Sequence, residues 1–519
     1  MAQCNQNTAS LDRRLKKVTL TAVSQVLGGY SRCVRLALVL FCFLGRDAIS
    51  LALCTRGATP RKRWADSGGI DETEADLDYG LALLLTDSTA LLPILRKLQL
   101  DGAISIGPSN AFRMDPVYST KILAALPLEL RHFWRLKALL FASQTIPWEY
   151  LEPEPTDMST EFAHLKHTLL EIKNNERYWA LDSNKKAEVI SSLLEASRFT
   201  DVEGRLFAIA NAKELTIGLK RRYLEYYVAH KESLALRLTG DVAQAKKVLN
   251  SILPIVSRYP SSHKVKTHWA HGHILIQRAL DYSLASELDK AIELLKGWEA
   301  MSRHPSPIES TILFRKHLLM GELLRYRGGF NESLSHLQRS EWLIGIQPKL
   351  FFTPYRTDLF FNIGSTLIEL DDFTYAESQL RKEILRQAKE EDKVAPLLNL
   401  ALAESIFAQK RYAEAQLIGC EVVCQAHISE REELHVLILF AKSFHTSSDW
   451  KEAYKYWHMA FPRRLELHSF QLKLEEILSE FEDRIESLKG QHWIAGLDLW
   501  LDSLPESLTS AHLYLTAAY

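Results

Sequence analysis

The apolar positions of this chain fall mostly at intervals of three and four, which places side chains on one face of an α-helix. The pattern is clearest between residues 223 and 463, where one arrangement recurs six times. In each copy an apolar residue stands three positions before a small one: Val242 before Ala245, Leu288 before Ala291, Phe330 before Ser333, Phe373 before Ala376, Tyr412 before Ala415 and Trp450 before Ala453. The small residues are spaced by 46, 42, 43, 39 and 38 positions. In three copies another small residue lies twelve positions earlier, at Gly321, Gly364 and Ala441. A period of this size predicts a solenoid of helical pairs. In the fourth copy Leu359, Phe360, Ile363, Leu367 and Leu370 form one stripe, Asp371-Asp372 interrupts it, and Phe373, Ala376, Leu380 and Ile384 form the next. The small residues let two backbones approach, the apolar residue fills the wedge at the turn, and neighbouring pairs must stack to bury their stripes.

These residues resemble the tetratricopeptide repeat family, which combines a small residue in its first helix, a Gly-Asp or Gly-Asn turn with an aromatic, an alanine in its second helix and a proline near the end. Gly240-Asp241 and the copy Asp449-Trp450, Ala453, Pro462 match best. The period exceeds the family's usual 34 residues, and the first-helix tryptophan and tyrosine are mostly missing, so longer helices or loops are expected. The resemblance implies a mainly α chain with an α-α superhelical solenoid and six tetratricopeptide-like repeats over 223–463. Residues 159–222 read as the helical start of the superhelix. Residues 464–519 read as C-terminal capping helices: 465–488 is amphipathic, with Phe470, Leu474, Ile477, Leu478, Phe481 and Ile485 on one face, and the tail from Trp493 is apolar.

The amino-terminal third has a different pattern. Residues 1–31, polar and carrying Arg13, Arg14, Lys16 and Lys17, predict a poorly ordered tail. From 32 to 127 the periodicity predicts a buried helix over 35–44, a second capped by Asp47, and a third over 88–100. A polar connection at 57–80 carries the basic run Arg61-Lys62-Arg63 and the acidic residues Asp71, Glu72, Glu74 and Asp76. Two extended segments, 103–106 and 111–114, follow as a hairpin. Helices followed by a two-stranded wing describe a winged-helix-like domain. Residues 128–158 form a linker with a helix.

The stretches Phe43-Leu44-Gly45-Arg46-Asp47 and Pro60-Arg61-Lys62-Arg63-Trp64 resemble the winged-helix segment of fungal signal-transduction NTPases of the STAND class. Residues 133–140 and 146–153 resemble the linker those proteins carry before their repeats. Their nucleotide site needs a Gly-x-x-x-x-Gly-Lys-Ser/Thr loop. Gly28-Gly29-Tyr30-Ser31-Arg32 lacks the lysine, so ATPase activity is not implied.

Composition narrows the functional classes. At 519 residues, 47% hydrophobic and 24% charged, the chain predicts two or three globular domains. A net charge of -1 provides no field for nucleic acid or an anionic membrane. The longest apolar run, 34–44, falls short of the ~20 residues a span needs, and no secretory leader is visible. Six cysteines do not make a disulfide framework, and Cys420 and Cys424 read as buried small apolar residues. The expected compartment is the cytoplasm, with the nucleus as the alternative.

No catalytic constellation is present, so no enzyme activity, cofactor or metal is expected. His268, His271 and His273 cannot all share a helical face, and with His164 and His167 they read as ordinary helix surface. Arg96-Lys97 or Arg61-Lys62-Arg63 would contact phosphates in an alternative reading as a winged-helix DNA-binding regulator. Among aromatics and cations of the array (Tyr226, Tyr227, Arg325, Tyr326, Arg327, Trp342, Tyr355, Arg356), the candidate partner-binding residues are Tyr227, Arg325, Tyr326, Tyr355 and Arg356. The expected function is a non-enzymatic protein-interaction scaffold or adaptor, binding a protein or peptide in the concave groove and derived from a STAND-type sensor. An accessory protein of a biosynthetic pathway is a further alternative.

Overall fold

The computed structural model describes residues 2–460, apart from 108–109, 154, 156, 174–180, 253–262, 392 and 426–427. Pro462, the helix expected at 465–488 and the apolar tail lie outside the described residues. The described chain is mainly helical and divides into two compact units. One contains residues 1–274 and 300–309, the other residues 275–299 and 310–519.

The first unit begins with α1 (Ala2–Ala22) and α2 (Ser24–Leu27), where composition predicts a poorly ordered tail. Thr19, Val23 and Leu27 are fully buried, and the Trp134 indole donates to the Thr19 hydroxyl at 3.0 Å. Buried apolar residues on a polar segment make the difference, because a few contacts suffice to order it. Helix α3 (Arg32–Cys42) is buried along most of its length. Helix α4 (Leu51–Ala58) is capped by Ser50, which accepts from Leu53 N–H at 2.9 Å, rather than by Asp47.

The polar connection expected at 57–80 contains an antiparallel hairpin, β1 (Arg61–Trp64) and β2 (Ile70–Thr73). Its basic and acidic runs face each other, Lys62 opposite Glu72 and Arg63 opposite Asp71, a cross-strand pairing that favours the hairpin. Helices α5 (Tyr79–Thr86) and α6 (Ser88–Leu100) follow, then β3 (Ile104–Ile106) and β4 (Phe112–Met114) as a second hairpin. Ile49 is bridged to Phe112 of β4. Next come α7 (Pro116–Ala125), α8 (Leu128–Gln144), α9 (Ser159–Lys173), α10 (Ser183–Ala196), α11 (Val202–Thr216), α12 (Arg222–Leu238) and α13 (Val242–Ser251). Consecutive helices α10 to α13 pack side by side, and α10 also meets α12.

Helix α14 (Lys264–Leu284) crosses the division between the units, as does α16 (Pro307–Tyr326); α15 (Leu288–Lys296) belongs to the second. Then follow α17 (Phe330–Ile346), α18 (Thr353–Glu369), α19 (Phe373–Glu391), α20 (Pro396–Ala408), α21 (Tyr412–Val423), α22 (Glu430–Thr446) and α23 (Trp450–Ala460). From α17 to α23 each helix packs on the next, and α18, α20 and α22 pack in succession, so antiparallel pairs stack within this unit.

One turn recurs six times. Gly240, Ser286, Gly328, Asp371, Lys410 and Ser448 have φ of 84°, 60°, 82°, 59°, 66° and 62°, the left-handed region. The following amide reaches back five residues to a carbonyl at 2.8–3.2 Å, closing each first helix with a Schellman-type bond. Two residues after the left-handed position, the apolar residue of the repeat opens the second helix in every copy. Three residues further, Ala245, Ala291, Ser333, Ala376, Ala415 and Ala453 are all 0% exposed. A Cβ on Gly321 would lie 2.6 Å from Leu337, and one on Gly364 2.9 Å from Leu380, so in these two copies a larger residue would have to push the facing leucine aside. Ser333 keeps its hydroxyl satisfied by donating to the Gly321 carbonyl at 2.7 Å. The wedge residues are less buried than expected: Val242 is exposed, and Leu288, Phe330, Phe373 and Tyr412 are half-buried.

Candidate functional site

Several ionisable groups of the first unit that burial perturbs, among them Arg63, Glu195 and Tyr227, converge where β1, residues 146–152, α10 and α12 meet. Strand β1 delivers Arg63, which is 4% exposed on its side chain. Its guanidinium lies 4.6 Å over the Trp148 ring, 3.9 Å from Glu152 and 3.6 Å from Glu188 of α10. Burial pulls Arg63 down to about 10, against the pull of Glu188 and Glu152. Arg61 is ion-paired with Glu152 as well, whose carboxyl burial raises above the usual range despite both arginines.

Deeper in, α10 places Glu195 fully out of solvent. Its Oε1 accepts from the Tyr227 hydroxyl at 2.7 Å, and its Oε2 accepts from the Glu149 amide at 3.0 Å and from Arg198 Nη1 at 2.9 Å. Lys231, one turn beyond Tyr227 on α12, sits 3.5 Å from Glu149. Burial pushes Glu195 up to about 7, with Lys231 opposing and Glu149 reinforcing. The Tyr227 hydroxyl is pushed well above its ordinary value by burial and then by Glu195. Tyr227 also packs on Trp269, at 5.1 Å between ring centres, and His230 packs on His273 at 4.8 Å.

The tip of the β1–β2 hairpin is docked by its backbone. Gly68, with φ of 84°, accepts from Ile308 N–H at 3.0 Å, and a Cβ there would lie 2.5 Å from Ser306 Oγ and 2.6 Å from Val265. Asp66 meets His263 Nδ1 at 2.9 Å and Lys266 Nζ at 3.0 Å.

The space left at this centre is about 20 Å³, lined by Trp64, Trp148, Glu195, Tyr227, Lys266 and Trp269 among others. That is room for about one water, so the arrangement can hold a proton or a water but no organic substrate. Among the described residues no three His, Cys, Asp or Glu side chains are placed to hold a metal ion. A larger concavity of about 350 Å³ lies along α11, α12 and α13, with Ile217, Leu219, Val228, Val248 and Ile252 on its walls. Lys213 and Glu232, ion-paired at 2.8 Å, stand on its wall too.

The candidate partner-binding residues are engaged in internal packing. Tyr227 is part of the buried centre. Arg325 is 5% exposed, 3.4 Å from Asn362 Oδ1 and 5.0 Å over the Tyr326 ring. Tyr326 is buried too and donates to Glu322 at 2.5 Å. Tyr355 stands edge-on to Phe314, and Arg356 clamps Glu383 through two bonds of 3.0 and 2.6 Å. Helical spacing identifies a stripe without saying whether it faces a groove or the next repeat, which is why these residues could not be assigned from sequence. Trp342, by contrast, is 61% exposed.

Other sequence readings change as well. His164 is fully buried, not on the surface, with Nδ1 2.5 Å from the Leu44 carbonyl and Nε2 3.2 Å from that of Ala48. His273 is buried against Trp269. Cys424, just past the end of α21, is exposed, and Cys420 is half-buried against the core of the last helical pairs. Arg61 and Arg63 are consumed by internal carboxylates, whereas Arg96 and Lys97 are exposed. Sequence reasoning missed Glu195, although a lone carboxylate within Leu193-Leu194-Glu195-Ala196 on an apolar helix is a usable signal.

No protein-family model matches the chain, and no curated protein matches it. One solved structure that it is similar to is a signal transduction ATPase with numerous domains (STAND) protein with a tetratricopeptide repeat sensor from Pyrococcus horikoshii, with a TM-score of 0.40 and 13% identity. The match covers 86% of this chain and 64% of that one, so the chain spans less than two thirds of its neighbour's length.

Proposed function

We propose that this chain is a non-enzymatic protein-interaction scaffold or adaptor, a regulatory or signalling component whose repeats take a protein or peptide partner on their concave face. The observation that carries this reading is the sixfold turn: left-handed residue, backward hydrogen bond and fully buried small residue at one register. Such a device specifies how helical pairs stack, and stacked pairs build extended surfaces that bind by shape and a few anchors. Residues 223–463 are read as the six tetratricopeptide-like repeats, 159–222 as their helical lead-in and 128–158 as the linker. Residues 32–127 are read as a winged-helix-like domain, supported by the order α3, Ile49, α4, α5, α6, β3, β4 and by the Ile49–Phe112 bridge. Kinship to STAND-type sensors rests on the resemblance of residues 43–64 and 133–153 alone.

The test is capture from the extract of the source cells with the full chain, beside a double variant Lys213→Glu/Ile217→Asp that alters exposed walls of the 350 Å³ concavity. A protein enriched by the parent and depleted with the variant supports the reading and maps it to the junction of the helical lead-in with the first repeat. Co-purifying duplex DNA without an enriched protein would move the winged helix to first place.

A further inference from the structure

We propose that Glu195 and Tyr227 form a buried proton-binding site that governs how tightly residues 146–152 hold to α10. The ligand is a proton, and three observations converge on it. Glu195 is completely enclosed, yet both of its oxygens are already used as acceptors by Tyr227, the Glu149 amide and Arg198. A neutral carboxyl in that position needs an acceptor for its own O–H, and the Tyr227 oxygen 2.7 Å away is placed to be one once its hydroxyl turns. The turned Tyr227 hydroxyl then needs an acceptor, and the cavity of about 20 Å³ lined by both side chains has room for a single water there. Protonation therefore reverses one hydrogen bond without moving an element.

The charges facing Glu195 come from every side of the centre. Glu188 shares its helix, Arg198 stands in the turn just after it, and Glu149 and Glu152 lie on residues 146–152. Tyr227 and Lys231 come from α12, Arg63 from β1 and Lys266 from α14. Glu149 is tied to α10 by its amide on Glu195 and to α12 by its carboxylate on Lys231, so charge on Glu195 is felt directly by this segment. Burial raises the Glu195 carboxyl from 4.5 to about 7. An opened state, in which Glu195 meets water, binds its proton less tightly than the closed one. The closed state thus draws its full advantage below pH 4.5 and loses it as pH rises to about 7, beyond which opening is pH-independent through this group.

The experiment is amide hydrogen exchange of the full chain across this pH range, corrected for intrinsic rates, reading residues 146–152, where the Glu149 amide is the direct reporter. Protection of the parent is expected to fall by up to about ten-fold per pH unit between about pH 5 and pH 7 and then level off. In Glu195→Gln, which keeps shape and acceptor but cannot titrate, that component disappears, while exchange within α22 is the same in both proteins. Equal slopes in parent and variant, or no slope in the parent, overturn the proposal. Tyr227→Phe provides an independent arm: the ionised carboxylate loses a hydrogen-bond donor, so the fall ends at a higher pH. An unchanged midpoint in that variant overturns the proton site even if Glu195→Gln fails to fold.

Discussion

At the residue scale, the six left-handed turn positions show how unequal residues are held in one conformation. Only Gly240 and Gly328 occupy it without steric cost, while Ser286, Asp371, Lys410 and Ser448 carry a Cβ that crowds the following carbonyl. The backward amide bond and the buried small residue hold the conformation regardless. Lys410→Gly is therefore expected to stabilise the chain by roughly 0.5–1 kcal/mol, the relief of strain exceeding the added freedom of the unfolded chain. Gly328→Val should cost on the order of 1–2 kcal/mol. Urea unfolding midpoints check both, and a loss for Lys410→Gly would mean that its side chain contributes more than its backbone costs. Nothing in the amino-acid pattern marked position 410 as left-handed, because the constraint comes from its neighbours. The position was visible only by analogy with Gly240.

At the element scale, α16 and α17 confront each other through His317 and His336, whose Nδ1 atoms lie 2.9 Å apart. Two ring nitrogens at that distance share one proton, and a second would set N–H against N–H. Burial, then His336, Lys316 and Arg339, depress His317 from 6.5 to about 3. The folded pair takes up protons less readily than the unfolded chain, so its contribution is complete above pH 6.5 and is lost as pH falls toward 3. While His317 alone titrates in the unfolded chain, the slope is about 1.4 kcal/mol per pH unit. His317→Gln should remove it, as read by unfolding of the full chain from pH 7 to pH 4 (about the range that matters); an unaltered slope would assign the acid lability elsewhere. The helices of the array were legible from spacing alone, since apolar periodicity dictates which residues begin and pack them. The β1–β2 hairpin was not, because its strands are charged, and its stability comes from a cross-strand pairing and from distant partners such as Glu152 and Ile308. The centre around Glu195 was illegible for the same reason: its members are brought together from positions 63, 149, 195, 227 and 231 by packing, not by any local motif.

At the scale of the whole molecule, a net charge of -1 and the internal use of Arg61 and Arg63 leave little to attract a phosphate backbone. Fluorescence anisotropy with a duplex is expected to show binding no tighter than about 10⁻⁴ M at physiological salt, the weak end of non-specific association. Tighter binding with a steep salt dependence would instead favour a role for the exposed Arg96 and Lys97. The hairpin tip has a bearing on how the chain is made. Gly68 hydrogen-bonds to Ile308 and Asp66 to Lys266, although most of the array is held by neighbours in sequence. Some 240 residues must therefore emerge between the hairpin and its last partner, which at ribosomal speeds takes about 10–50 s. For that interval Trp64, which lines the same small cavity as Ile308, lacks its final cover, making the nascent hairpin a segment for a chaperone to shield.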